Sequence, residues 1–127
     1  SWKPMSRDDM NAVADFLVSQ SHAVNASEAS LALGAKIVTE RCTSCHLFKG
    51  AGDDGGDGIA PELSGWGSLA WLRSQIADPS SKRTYREKAF DPAMKGHMPK
   101  FAEEISPADL DVLSEWVLKR AQAAPSR

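Results

Sequence analysis

The sequence predicts an all-α fold, on three observations. Apolar residues recur at three- and four-residue spacing in separate stretches, each opened by a residue able to cap a helix. No stretch alternates apolar and polar residues as a half-buried strand would. Two long stretches, residues 50–67 and 79–105, show no helical or strand period, so the helices alone make a core too thin to close on itself. A chain of 127 residues, 42% hydrophobic, suits one domain with one core, and something other than side chains is expected to fill it.

The elements follow in order. Residues 6–17, SRDDMNAVADFL, read as a capped amphipathic helix with Met10, Val13, Phe16 and Leu17 on its apolar face. Residues 25–42 read as a second helix. Asn25 and Glu28 form a capping-box pattern there, and Leu31, Ala35, Val38 and Cys42 share one face. Residues 50–67 hold most of the chain's nine glycines and read as a loop long enough to wrap something. A short helix is expected over 69–78, capped by Ser68, with Leu69, Leu72 and Ile76 inward and Pro79 ending it. The closing helix starts at Ser106, with Pro107 in its first turn and Asp109 completing the cap, and turns Leu110, Leu113, Trp116 and Val117 inward.

Charge and hydropathy exclude two classes. Fifteen basic against 17 acidic residues give a net charge of −2, which provides no basic field for nucleic acid. No stretch approaches the roughly 20 apolar residues of a membrane span, and Ser1 opens no basic-then-apolar leader.

The chemistry concentrates in RCTSCHLFKG, residues 41–50, which contains both cysteines and a histidine directly after the second. C-x-x-C-H is the attachment pattern for c-type haem. At a helix end, positions i and i+3 put two sulfurs on one side, where each can form a thioether with a vinyl group of one porphyrin edge. Cys42 and Cys45 are the expected anchors, and His46 would then be carried beneath the ring, where it can bind iron. A zinc site would want four ligands, and a His contiguous with the second Cys is poorly placed to share a tetrahedron with it. A thioredoxin-like redox pair would need a strand ahead of the motif, and none is visible.

With these pieces the chain resembles the class I cytochromes c. CTSCH at 42–46, GIAPEL at 58–63, HMPKF at 97–101 and the closing helix with Leu113 and Trp116 come in that family's order and cover about residues 25–120. The resemblance implies the class I cytochrome c fold, a few helices wrapped around one covalently bound haem c, over residues 25–127. Residues 1–24 are an additional N-terminal helix and linker. It implies that Gly34 crosses the closing helix at Trp116, with Val38 standing where the family has a larger aromatic. It implies Met98, in a Met-Pro context, as the distal iron ligand opposite His46, with His97 and Met94 as competing donors in the same loop. Pro61 resembles the proline whose carbonyl holds the ligand His. Trp66, Tyr85 and Phe101 are candidates to line the ring, Trp66 and Tyr85 also to donate to its propionates.

What the resemblance implies for function is outer-sphere electron transfer and no catalysis, as a shuttle or as a haem domain of a larger respiratory or photosynthetic redox complex, in a periplasmic or equivalent compartment, between redox partner proteins that the sequence does not name. The alternative is a haem enzyme or gas-sensing subunit in which a small ligand displaces the distal Met. Residues 82–100 carry six basic and two acidic side chains, and residues 53–62 carry four acidic and none basic, so an acidic partner is expected at the basic stretch.

Finally, residues 6–17 align without a gap on residues 106–117, SPADLDVLSEWV, at an offset of one hundred. The first helix thus looks like the closing helix of another such domain upstream. This leads to the expectation of a multi-haem or membrane-tethered parent protein. The apolar face of that helix is then covered by this domain or by a second copy.

Overall fold

The computed structural model describes residues 3–49, 60–81, 84 and 98–123. Among them the chain forms four α-helices and no strand, the all-α fold expected: α1 Arg7–Ser19, α2 Glu28–Ile37, α3 Leu69–Ala77 and α4 Pro107–Ala123.

Each helix begins where a hydroxyl takes up an otherwise unpaired amide. Ser6 Oγ accepts from Asp9 N at 3.1 Å while the Asp9 carboxylate accepts from Ser6 N at 3.2 Å, closing a capping box. Ser106 Oγ likewise accepts from Asp109 N at 3.1 Å, and Ser68 Oγ accepts from Trp71 N at 3.1 Å. α2 departs from expectation and starts at Glu28. Ser27, not Asn25, is the cap, because its Oγ reaches Ser30 N at 3.1 Å and satisfies the first turn from closer by.

The far end of α2 also differs. The helix expected to reach Cys42 leaves α geometry after Ile37 and makes a π turn, Val38–Cys42, with Thr43 N donating to Val38 O at 3.2 Å. Two threonines explain the change. The Thr39 hydroxyl donates to Ala35 O at 2.9 Å and the Thr43 hydroxyl to Thr39 O at 2.6 Å, competing with the amide ladder for its carbonyls. The wider turn re-aims the residues that follow it relative to the α2 face.

The helices pack as two pairs, α1 on α2 and α3 on α4. Gly34 decides the first pair. A Cβ built on Gly34 would overlap the Ala12 carbonyl oxygen and lie 2.6 Å from Phe16 Cβ, so only a glycine admits this approach. The expected crossing is thereby corrected: Gly34 meets α1, and Trp116 of α4 is 56% exposed. The reason is size. α1 sets the small Ala12 against the glycine, whereas α4 carries Val112 at the matching place in its sequence.

Two further residues expected inward, Leu69 and Leu113, are also exposed. Ile76, Leu110 and Ser114 are the buried side chains of the second pair, and an Arg73–Asp111 ion pair bridges it. Ser114 can be fully buried because its hydroxyl donates to Leu110 O at 2.6 Å. The buried apolar residues among those described are otherwise Ala12, Ile37, Val38 and Phe48.

Backbone contacts join the halves. Leu63 N donates to Leu47 O at 2.9 Å and Glu62 N to Thr84 O at 3.1 Å. His22 Nε2 donates to Gly67 O at 2.7 Å, tying the end of α1 to the turn before α3, where Gly67 has a φ of +75° that other residues rarely adopt.

Candidate cofactor site

The CTSCH segment leaves the π turn as one tight loop. The Cys42 carbonyl accepts from both Cys45 N, at 3.1 Å, and His46 N, at 2.8 Å, which gathers the two sulfurs and the imidazole on a single turn. Arg41 anchors the turn from outside through a hydrogen bond to the Lys3 carbonyl at 2.6 Å. No disulfide joins the two cysteines, and Cys42 is partly buried and Cys45 exposed.

Burial pushes the Cys42 thiol up, Arg41 opposes the rise and Cys45 adds to it. Among the described residues no three His, Cys, Asp or Glu side chains converge as a metal-binding group.

His46 is held from behind. Its Nδ1 lies 2.6 Å from the Pro61 carbonyl oxygen. A carbonyl can only accept, so Nδ1 carries the hydrogen and Nε2 keeps its lone pair for a metal. Pro61 is brought there by the backbone, since residues 47–49 are fastened to 63–64 by the Leu63–Leu47 hydrogen bond and by Lys49 N donating to Ser64 Oγ at 2.6 Å.

Phe48 completes this wall, and sequence reasoning missed it. It is 7% exposed and its ring packs on that of Phe16 in α1, with centroids 5.7 Å apart and planes tilted by 58°. The available signal was an aromatic two places after the histidine in a polar stretch, which belongs to no helical period.

Met98 is 42% exposed. The strap behind it is pinned to the C-terminal end of α3. There Lys100 Nζ sits 3.2 Å from the Asp78 carboxylate and Ala102 N donates to Ala77 O at 3.1 Å. Phe101, half-buried, turns the chain by accepting at its carbonyl from Glu104 N and Ile105 N, both at 3.0 Å. Trp66 is exposed and pairs with Trp71, ring centroids 5.6 Å apart. Tyr85, Met94 and His97 lie outside the described residues.

The structure thus brings Cys42, Cys45, His46 and Pro61 together. No hydrogen bond or ring contact among the described residues joins Trp66, Met98 or Phe101 to that group. The group itself fits a porphyrin edge: two cysteine sulfurs three positions apart on one turn, and an imidazole whose Nδ1 is held by a carbonyl behind it, leaving Nε2 on the other side of the ring.

No curated protein and no solved structure matches the chain significantly. The family model described as Cytochrome c matches residues 31–121, most of the chain, and begins after α1. The chain therefore belongs to the cytochrome c family, whose members bind haem c covalently and use it to transfer electrons.

Proposed function

We propose that the chain is a mono-haem electron carrier or carrier domain, in which Cys42 and Cys45 would hold haem c through thioethers and His46 and Met98 would bind its iron. Bound there, the haem supplies a one-electron change at iron. The observation that carries the reading is the 2.6 Å contact from His46 Nδ1 to the Pro61 carbonyl, which leaves Nε2 as a ligand already oriented and of fixed tautomer. A thioether from Met98 is soft and uncharged, and it favours the reduced state relative to a second imidazole. If His46 and Met98 both bind the iron, the protein would leave it no open position for a substrate. The work of the fold is then to keep these ligands still between oxidation states.

Partner docking follows from charge. The basic residues within 82–100 favour an acidic partner, at an association rate that falls with added salt. Thioether attachment favours an extracytoplasmic compartment, where the family's domains typically reside. No described helix is long and apolar enough to cross a membrane. The likeness of residues 6–17 to 106–117 favours a parent with a further haem domain ahead of this one.

A visible spectrum tests the core of the proposal. Denatured protein keeps its haem colour and thiol reagents find no free cysteine. Met98→Ala abolishes the weak near-red band of the oxidised protein. Absence of that band from the unaltered protein would pass the sixth position to His97. Carbon monoxide leaves the spectrum of the reduced protein unchanged, and a shifted spectrum would replace the carrier with a haem protein that binds small ligands.

A further inference from the structure

α1 precedes the residues matched by the family and supplies none of the proposed haem ligands. Its contacts nonetheless converge on the segment that carries the cofactor ligands. Ala12 and Phe16 enclose Gly34 on the helix that delivers the cysteines. The residue Lys3, just ahead of α1, receives the Arg41 guanidinium at the near side of the motif. At the far side, the Phe16 ring packs on Phe48, two residues beyond His46. The motif is therefore held by the N-terminal segment before and after its own turn.

We propose that Phe16 is a positioning residue for His46. The Pro61 hydrogen bond fixes one ring atom of the imidazole, and a single bond of that kind leaves the ring free to swing about it. The swing is stopped only if the backbone carrying His46 is also fixed. Two residues span at most about 7 Å of chain, so a displacement of Phe48 is passed to the His46 Cα with little slack. Phe48 cannot move while its ring is buried against Phe16. The Leu63–Leu47 and Lys49–Ser64 hydrogen bonds hold the same stretch from the opposite side. α1 and the Pro61 loop thus grip the histidine between them, and a change at Phe16 alters how Nε2 is presented.

This inference rests on His46 being an axial ligand, and the experiment separates the two. In the haem-loaded full chain, Phe16→Leu keeps the apolar bulk but removes the ring contact, and Phe16→Tyr keeps the ring. The expected result is a reduction potential in Phe16→Leu displaced beyond repeat error, with shifted proton resonances of the His46 ring in the reduced protein. Phe16→Tyr restores both. Wild-type potential and wild-type His46 resonances in Phe16→Leu would overturn the proposal, whatever the loss of stability, since a purely structural α1 moves stability alone. The ligand reading fails separately, through a low-spin spectrum that survives His46→Ala.

Discussion

α1 and α4 share a sequence pattern and bury different faces. Both open on a serine that accepts from an aspartate amide three residues on, at 3.1 Å in each. Residues 10, 13, 16 and 17 of one are apolar, and so are residues 110, 113, 116 and 117 of the other. Yet α1 buries Ala12 and leaves Met10 49% exposed, whereas α4 buries Leu110 and leaves Val112 68% exposed. The buried positions differ by two residues, a rotation of about 200° around the helix. Period and cap decide that a helix forms and where it starts. The surface it meets decides which face is used. α1 meets the notch at Gly34, which accepts a small residue with an aromatic beside it, and α4 meets α3, which offers Ile76 and an arginine.

The hardest blow to this contrast falls on the notch. Gly34→Leu sets a side chain where the Ala12 backbone carbonyl lies, and a backbone atom cannot be moved aside cheaply. A loss of about 3 kcal/mol or more is expected, at the upper end of overpacking costs. Val112→Ala on α4 is the matching control, and at an exposed site its effect stays within about 0.5 kcal/mol. Denaturant midpoints at constant slope read both.

The aromatics at positions 16 and 116 come next. Phe16 is largely enclosed by Gly34 and Phe48, so Phe16→Ala is expected to cost about 2–3 kcal/mol, somewhat below the value for a fully buried ring. Trp116 is 56% exposed with Arg120 over its ring at 5.3 Å, and Trp116→Ala is expected to cost under about 1 kcal/mol. Equal losses at the two sites would mean that both helices bury equivalent faces, and the contrast would fall.

Much of this was legible in advance, and the misses share a cause. The helices at 69–77 and 107–123 and their serine caps follow from local chemistry, because a hydroxyl and an amide three residues apart meet in any context. The single turn of CTSCH is local in the same sense. Partner choice is not: Gly34 reads as a contact point in the sequence, but nothing within a few residues of it says whether Ala12 or Trp116 arrives there. Nor does the π turn announce itself, since it depends on two threonine hydroxyls competing for carbonyls one turn back. Phe48 escaped because a residue in irregular backbone has no period by which burial can be read.

The caps sharpen the contrast by removing it. Ser6→Ala and Ser106→Ala delete the same hydrogen bond at the same distance, so each is expected to cost about 1 kcal/mol irrespective of what its helix packs against. A cost at Ser106 close to zero would show that α4 draws its stability from elsewhere along its length.

The smallest expected effect lies between α3 and α4. The Arg73–Asp111 pair joins them, but its side chains are 39% and 58% exposed, so water screens most of the attraction. Arg73→Ala is expected to cost no more than about 0.5 kcal/mol at low ionic strength, and the effect should vanish toward about 1 M salt, where the screening length is only a few ångströms. The α1–α2 contact, apolar at Ala12 and Phe16, should not weaken over the same range of salt. A cost at Arg73 that persists in high salt would locate its contribution in the packing of the aliphatic stem rather than in charge. The second helix pair would then be joined, like the first, chiefly by apolar contact.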